Sequence, residues 1–359
     1  MTATLYLDAN ATEPLRPEAR AAVLAALDAG GNPSSVHGSG RAARRRLEEA
    51  RESVGARFGA SAPDVVFTSG GTEANALAVH GLGRGRRLLV GATEHPAVLA
   101  AAGPAAGVVP VLPDGRLDLA ALEAMLAAGP PALVCLMAAN NETGVLHPIA
   151  AAAALCRAQG ALLQVDAVQA AGRVALEPGA DSWAISGHKL GGPPGAGALL
   201  LRPGLELPAL IAGGGQERGR RGGTEPLPAI AGLAAAAAAA PADAARLAAL
   251  RDRIEAGAAT LVAGAGAPRL PNTTCLILPG VPAETQVIAL DLAGVRVSAG
   301  AACSSGKVAR SPVLAAMGLG PLAGCGIRVS LPWNTPEDAP ERFLAAWAAM
   351  RARLSKTAA

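Results

Sequence analysis

Ser186-Gly187-His188-Lys189 follows the apolar run Ser182-Trp183-Ala184-Ile185, and Asp166 closes an earlier run, Leu162-Leu163-Gln164-Val165. An amine just past one strand-like segment and a carboxylate at the end of another belong to the same sheet edge, where α/β proteins collect their ligands. This is the pairing that pyridoxal phosphate chemistry requires. A lysine forms a Schiff base with the cofactor aldehyde, and an aspartate keeps the pyridine nitrogen protonated, so that the ring withdraws electrons. Alone, Lys189 reads as a surface lysine, because Gly191-Gly192-Pro193-Pro194 follows it. Its meaning comes from its surroundings.

Outward from that stretch, similar apolar runs recur: Val65-Val66-Phe67-Thr68, Arg87-Leu88-Leu89-Val90, Val108-Val109-Pro110-Val111, Leu133-Val134-Cys135-Leu136-Met137 and Gly197-Ala198-Leu199-Leu200-Leu201. Helical patterns lie between most of them, as over 72–82 and over 119–128, the latter led by Asp118 as N-cap. The alternation predicts an α/β large domain with a mostly parallel seven-stranded sheet covered by helices. After about residue 224 the pattern changes. An alanine-rich helical stretch, strands near 274–278 and 327–331, a helix over 283–292 and a final helix over 336–354 predict a smaller α+β domain. The expected boundaries are 1–20 for an N-terminal segment packing on the small domain, 21–240 for the large cofactor-binding domain, and 241–359 for the small domain carrying the Cys303 loop. The helix predicted over 17–28 is expected to pack with that N-terminal segment.

The composition narrows the function classes. A chain of 359 residues suits a large domain plus a smaller one. Hydrophobic residues make up 51% and aromatics only 2%, so the core is built from Leu, Val, Ile and Ala with close backbone approach. A net charge of +3, from 31 basic and 28 acidic residues, argues against nucleic acid or an anionic membrane as partner. The basic cluster 41–46 is followed by Glu48 and Glu49 and reads as a solvated helix face. Five cysteines without a Cys-x-x-Cys spacing suggest neither a disulfide framework nor a metal site, and predict a reducing cytoplasm. Residues 1–8 have no signal-peptide character. The run Ala234–Ala240, stopped by Pro241, reads as a surface or packing helix rather than a membrane span.

Further motifs carry chemistry. Thr68-Ser69-Gly70-Gly71-Thr72-Glu73 links a strand to a helix start, where backbone N–H groups cradle anions; Gly71 and Thr72 are candidate phosphate ligands. His95, after another strand, is placed to stack on a planar ring or move protons. Asn140-Asn141-Glu142-Thr143-Gly144 offers carboxamides for a carboxylate or ring oxygen, or simply a turn. Gln169 follows Asp166 closely enough to reach the same ligand, and Ser186 and His188 add possible phosphate hydrogen bonds. The basic, glycine-rich stretch 213–224 is a phosphate or subunit-contact loop, or a solvated linker. Cys303 sits among small residues in Ser298-Ala299-Gly300-Ala301-Ala302-Cys303-Ser304-Ser305-Gly306-Lys307, which predicts an exposed thiol. Cys325, in a glycine-rich turn, is its competitor. Arg328 interrupts an apolar strand and can clamp a substrate carboxylate or face solvent.

These segments together resemble the cysteine desulfurases, in the class V aminotransferase group of fold type I pyridoxal phosphate enzymes. The resemblance covers almost the whole chain: Tyr6-Leu7-Asp8-Ala9-Asn10-Ala11-Thr12, Gly31-Asn32-Pro33-Ser34-Ser35-Val36-His37, residues 67–73, 93–98, 140–144, 165–169, 186–190, 213–224 and the Cys303 loop. The short Ala302-Cys303-Ser304-Ser305-Gly306 form is similar to the branch used in iron–sulfur or nitrogenase-type sulfur delivery. The resemblance implies that Lys189 is the Schiff-base lysine and proton shuttle, and that His95 stacks on the ring and assists acid–base steps. It implies that Asp166 pairs with the ring nitrogen and Gln169 with the ring oxygen. Gly71, Thr72, Ser186 and His188 would bind the phosphate, joined by Thr224 from the other subunit of a homodimer. Asn141 and Arg328 would hold the carboxylate of L-cysteine. Cys303 would attack the substrate sulfur, giving a persulfide for a sulfur-acceptor or iron–sulfur scaffold protein and releasing alanine. Another class V enzyme, a selenocysteine lyase or an aminotransferase, and a non-catalytic scaffold are the rival readings. An aminotransferase has no need of Cys303, and intact Lys189, Asp166 and His95 argue against a scaffold. Glu13, Pro194 and Ala301 depart from frequent family residues (Thr, Lys and Ser) without removing a catalytic group.

Overall fold

The computed structural model describes residues 4–240, 244–300 and 310–357. After β1 (Leu5–Tyr6), α1 (Pro17–Ala29) and α2 (Gly38–Phe58), the chain builds one large sheet. Its strands are β2 (Val65–Thr68), β3 (Arg87–Gly91), β4 (Gly107–Val109), β5 (Ala132–Met137), β6 (Leu162–Asp166), β7 (Ser182–Ser186) and β8 (Gly197–Leu201). Between them run α3 (Gly71–Leu82), α4 (Pro96–Ala102), α5 (Leu119–Ala127) and α6 (Ile149–Ala158). Strand order is β2-β8-β7-β6-β5-β3-β4, with β4, β3, β5, β6 and β7 parallel. β8 is antiparallel to both β7 and β2, so β2 runs in the same direction as β7. The carboxyl ends of β2, β3, β5, β6 and β7 therefore share one edge.

Covering both faces explains why these strands read as unbroken apolar runs. All six residues of β5 are buried. Successive side chains point to opposite faces. Val66, Leu133 and Cys135 pack with Ala74, Leu77 and Ala78 of α3. On the other face, Val65 and Phe67 join Leu47 and Val54 of α2, and Val134 and Leu136 join α5 and α6. Burying each such Val, Leu or Phe contributes about 1.5–3 kcal/mol.

The rest of the chain forms α7 (Leu227–Ala239), α8 (Ala244–Ala258), β9 (Leu261–Val262), β10 (Thr273–Ile277), α9 (Ala283–Leu292), β11 (Val295–Arg296), β12 (Ser298–Ala299), α10 (Pro312–Ala316), β13 (Gly326–Ser330) and α11 (Ala339–Thr357). A small antiparallel sheet, β12-β13-β10-β9, is packed by α8, α9 and α11 through Leu250, Ile254, Leu290, Phe343 and Trp347. β1 pairs in parallel with β11, and Leu5 and Leu7 enter this same cluster. The helix expected to accompany them does not follow: α1 packs against α7, with Ala19 in the cluster that covers the large sheet. The alanine run forms the buried part of α7, where Ala234, Ala236 and Ala237 allow close helix approach. No single helix among the described residues is long and apolar enough to cross a membrane.

The connection before α7 is strained. Glu217 (φ 49°) and Arg218 (φ 58°) sit in the left-handed region, which costs about 1–2 kcal/mol per residue. Arg51 holds Glu217 through two hydrogen bonds of 2.6 and 2.8 Å, and the amide of Phe67 donates to it at 2.9 Å. A buried charge needs such a partner. The stretch 213–224 is thereby fixed to β2 rather than left as a solvated linker.

Candidate active site

The shared strand edge opens onto a cavity of about 320 Å³. α3 supplies Gly71 and Thr72, the start of α4 supplies His95, and the loop after β5 supplies Asn141. β6 and the turn beyond it supply Asp166 and Gln169; β7 and its following turn supply Ser186, His188 and Lys189; β13 supplies Arg328. Residues scattered along the sequence thus meet in one place. Thr224 is exposed and is not among the lining residues. Cys303 lies outside the described residues; Ser298, shortly before it in the chain, lines the cavity.

The lysine is already oriented. Its Nζ donates to the carbonyls of Asn10 and Ala11, the latter at 2.8 Å. Asp166 is buried; its Oδ2 accepts from Asn75 Nδ2 at 2.8 Å and its Oδ1 from the Val168 amide at 2.9 Å. Burial pushes this carboxyl above its ordinary value, against those hydrogen bonds and the nearby imidazole of His95 and amine of Lys189. A cationic partner inside the cavity would offset that burial. His95 Nδ1 accepts from the Ala97 amide at 3.1 Å, so the neutral ring carries its proton on Nε2. His188 is held neutral, its pKa lowered to about 4 by burial and by the charges of Lys189 and Arg173.

Gln169 is fixed from two sides. Its Nε2 donates to Asn10 O at 3.1 Å, and its Oε1 accepts from Arg173. Arg173 in turn pairs with Glu13 at 3.3 Å, one of the departures from the family pattern. Glu13 is buried, and burial raises its pKa despite Arg173. Arg328, also buried, donates from Nη2 to Asp8 Oδ1 at 2.7 Å and from Nη1 to Asn141 O at 3.1 Å. It lies on an interior strand of the small sheet, which rules out the solvent-facing alternative.

These donors suit pyridoxal phosphate. No side chain caps α3, so its first amides are available to an anion, and Ser186 lies beside them. A Cβ on Gly71 would stand 2.5 Å from Val168 Cγ2 and 3.4 Å from Ser186 Cβ, so only glycine fits this close approach. Gly71→Ala is expected to cost about 1–3 kcal/mol of stability and to weaken cofactor binding. Thermal melts and fluorescence titration of the cofactor-free protein check both effects.

Residues whose roles the sequence alone did not show line or support the site. Asn75, on the inner face of α3, gave no local signal; Asn10 was legible only as part of a longer motif. Glu94 is fully enclosed beside His95. Its Oε1 accepts from the Met137 amide at 2.7 Å, while Oε2 has no partner among the described residues. Burial, and then the charge of Asp166, hold its pKa well above the carboxylate range. A folded-state pKa above the unfolded one gives stabilisation that is present below the unfolded value and lost as pH rises through the folded value. Glu94→Gln, neutral throughout, should therefore gain Tm relative to the parent as pH rises from about 5 to about 8. Scanning calorimetry across that range checks this; a constant difference counts against it.

Three of the other cysteines are poor nucleophiles. Cys135, Cys156 and Cys275 are buried, and burial raises each thiol, Cys156 and Cys275 to about 12. Cys325 is half-buried against a small apolar cluster.

A sequence profile described as aminotransferase class-V matches residues 5–343, and the chain belongs to that family. A cysteine desulfurase of Cereibacter sphaeroides is 45% identical over 93% of this chain and 92% of its own length. An IscS-like cysteine desulfurase of Mycobacterium tuberculosis is 38% identical over 91% of each. The crystal structure of a NifS-like protein from Rickettsia africae superimposes with a TM-score of 0.90, at 32% identity, over 97% of this chain and 99% of that one. Within the family, the chain's place is among the cysteine desulfurases.

Proposed function

We propose that this chain takes L-cysteine, moves its sulfur to Cys303 and releases L-alanine. The carbon–sulfur bond of the substrate breaks, a carbon–hydrogen bond replaces it, and the Cys303 thiol becomes a persulfide; atoms balance without an external oxidant. The observation that carries this reading is the convergence of Lys189, Asp166 and Arg328 on one cavity. When bound there, pyridoxal phosphate supplies an electron sink for the carbon from which sulfur departs.

The chain's own residues do the rest. Lys189 Nζ would tether the cofactor and would move a proton to and from the substrate carbon. Asp166 would hold the ring nitrogen protonated, and a cation there would offset the cost of the carboxylate's burial. Gln169, its oxygen engaged by Arg173, offers Nε2 as a donor to the ring oxygen. The first amides of α3 with Thr72, Ser186 and His188 would take the phosphate, and His95 would lie against the ring with Nε2 as a donor. Arg328 and Asn141 fix the substrate carboxylate. Cys303 attacks the substrate sulfur, and the covalent intermediate divides sulfur transfer into two easier steps. A second subunit contributes Thr224 to the phosphate in a homodimer. The persulfide passes to an acceptor such as an iron–sulfur scaffold protein, and we assign the cytoplasm as the compartment.

Incubating the reconstituted protein with L-cysteine and a reductant is expected to give equal amounts of alanine and sulfide. Transamination of a keto acid without sulfide release would instead make it an aminotransferase.

A further inference from the structure

The guanidinium of Arg328 is only partly spoken for. Nη1 faces the Asn141 carbonyl, Nη2 faces Asp8, and Nε has no hydrogen-bond partner among the described residues. Arg328 is 4% exposed, so the orphaned N–H is buried, in a residue that lines the cavity. Asp8 lines the same cavity and is the more open member of the pair, with 20% of its side chain exposed. It is delivered by the N-terminal segment, which bridges in parallel to Ser330 on the strand that carries Arg328.

A carboxylate binds a guanidinium best through two parallel N–H groups. The side-on pair, Nε and Nη2, is here half taken by Asp8 and half unused. A ligand carboxylate engaging that pair brings a second negative charge onto the nitrogen that Asp8 holds, and like charges at one donor oppose each other. A buried guanidinium with no counterion would be costly, so some anion must stay with it when substrate is absent.

We propose that Asp8 is an internal stand-in for the substrate carboxylate. It neutralises Arg328 between turnovers and gives way when an amino acid enters. This rests on reading Arg328 as the carboxylate clamp. The exchange lowers the apparent affinity for every carboxylate ligand by the fraction of time Asp8 occupies the fork. Only a ligand that brings its own carboxylate in the right place can take over the pair.

The test uses reconstituted holoenzyme and two probes, L-alanine and L-alaninamide, which differ in the carboxylate. In Asp8→Asn, with Asp8→Ser as a second variant should the first fail to fold, the dissociation constant of L-alanine measured by calorimetry should fall about tenfold. That of L-alaninamide should change by less than about twofold, and KM for L-cysteine should fall more than kcat changes. A merely structural role for Asp8 would move both probes alike, and that result overturns the proposal, as does unchanged or weaker alanine binding. Arg328→Gln separates the two ideas. If it fails to weaken alanine selectively, the clamp reading falls and the stand-in with it. If it does weaken alanine while the Asp8 variants fail to tighten it, only the stand-in is lost.

Discussion

Lys189→Ala is expected to leave a folded protein that binds pyridoxal phosphate reversibly and turns over L-cysteine at least about 10²–10⁴-fold more slowly, the range for a lost general acid–base group. The wild-type cofactor should become fixed to the chain by borohydride; in the variant it should wash away on gel filtration. The structure explains the expected folding. Nζ contacts two main-chain carbonyls, those of Asn10 and Ala11, and removing it leaves two acceptors short of one donor. Asn10 O keeps the Gln169 Nε2 donor at 3.1 Å and the exposed Ala11 O keeps the Thr12 Oγ1 donor at 2.8 Å, so the loss is about 1 kcal/mol and lowers Tm without abolishing the native state. Borohydride fixation of cofactor at wild-type stoichiometry would mean that another amine is the tether.

Cys303→Ala separates sulfur transfer from cofactor chemistry. Cofactor absorbance should match that of the parent, while sulfide release falls on the order of 10³-fold or more, the scale seen when a covalent nucleophile is removed. Mass spectrometry after brief exposure to L-cysteine should place one added sulfur atom on the Cys303 peptide of the parent and none on the variant. The enclosed thiols offer no substitute. Cys135, Cys156 and Cys275 are enclosed with raised pKa values, and Cys325 packs against an apolar cluster. Undiminished sulfide release from the variant would end the assignment.

What the sequence made legible follows from local physics. The strands of the large sheet, buried on both faces, could be read as apolar runs, and residues at their carboxyl ends could be read as a site: Gly71, His95, Asp166 and Lys189 all stand just past or at such ends. The antiparallel placement of β8 between β2 and β7 has no local signature, because pairing partners are chosen by the whole sheet. Asn75 resembles any polar residue inside a helix until Asp166, 91 positions away, is placed against it. Asp8 and Glu94 were legible only inside longer motifs, because each role is defined by a partner from another element. The helix at 17–29 misled because its sequence neighbour, β1, joins a different layer from the one α1 covers.

The pairing of β1 with β11, and of Asp8 with an arginine 320 positions later, has a consequence for biosynthesis. During translation the first strand leaves the ribosome long before its mates exist, so it must wait, unpaired, while most of the polypeptide is made. Contacts of such long range are slow to close. The carbonyls that receive the Lys189 amine belong to this same waiting stretch, so the lysine is seated only after the strand that carries Arg328 has been made.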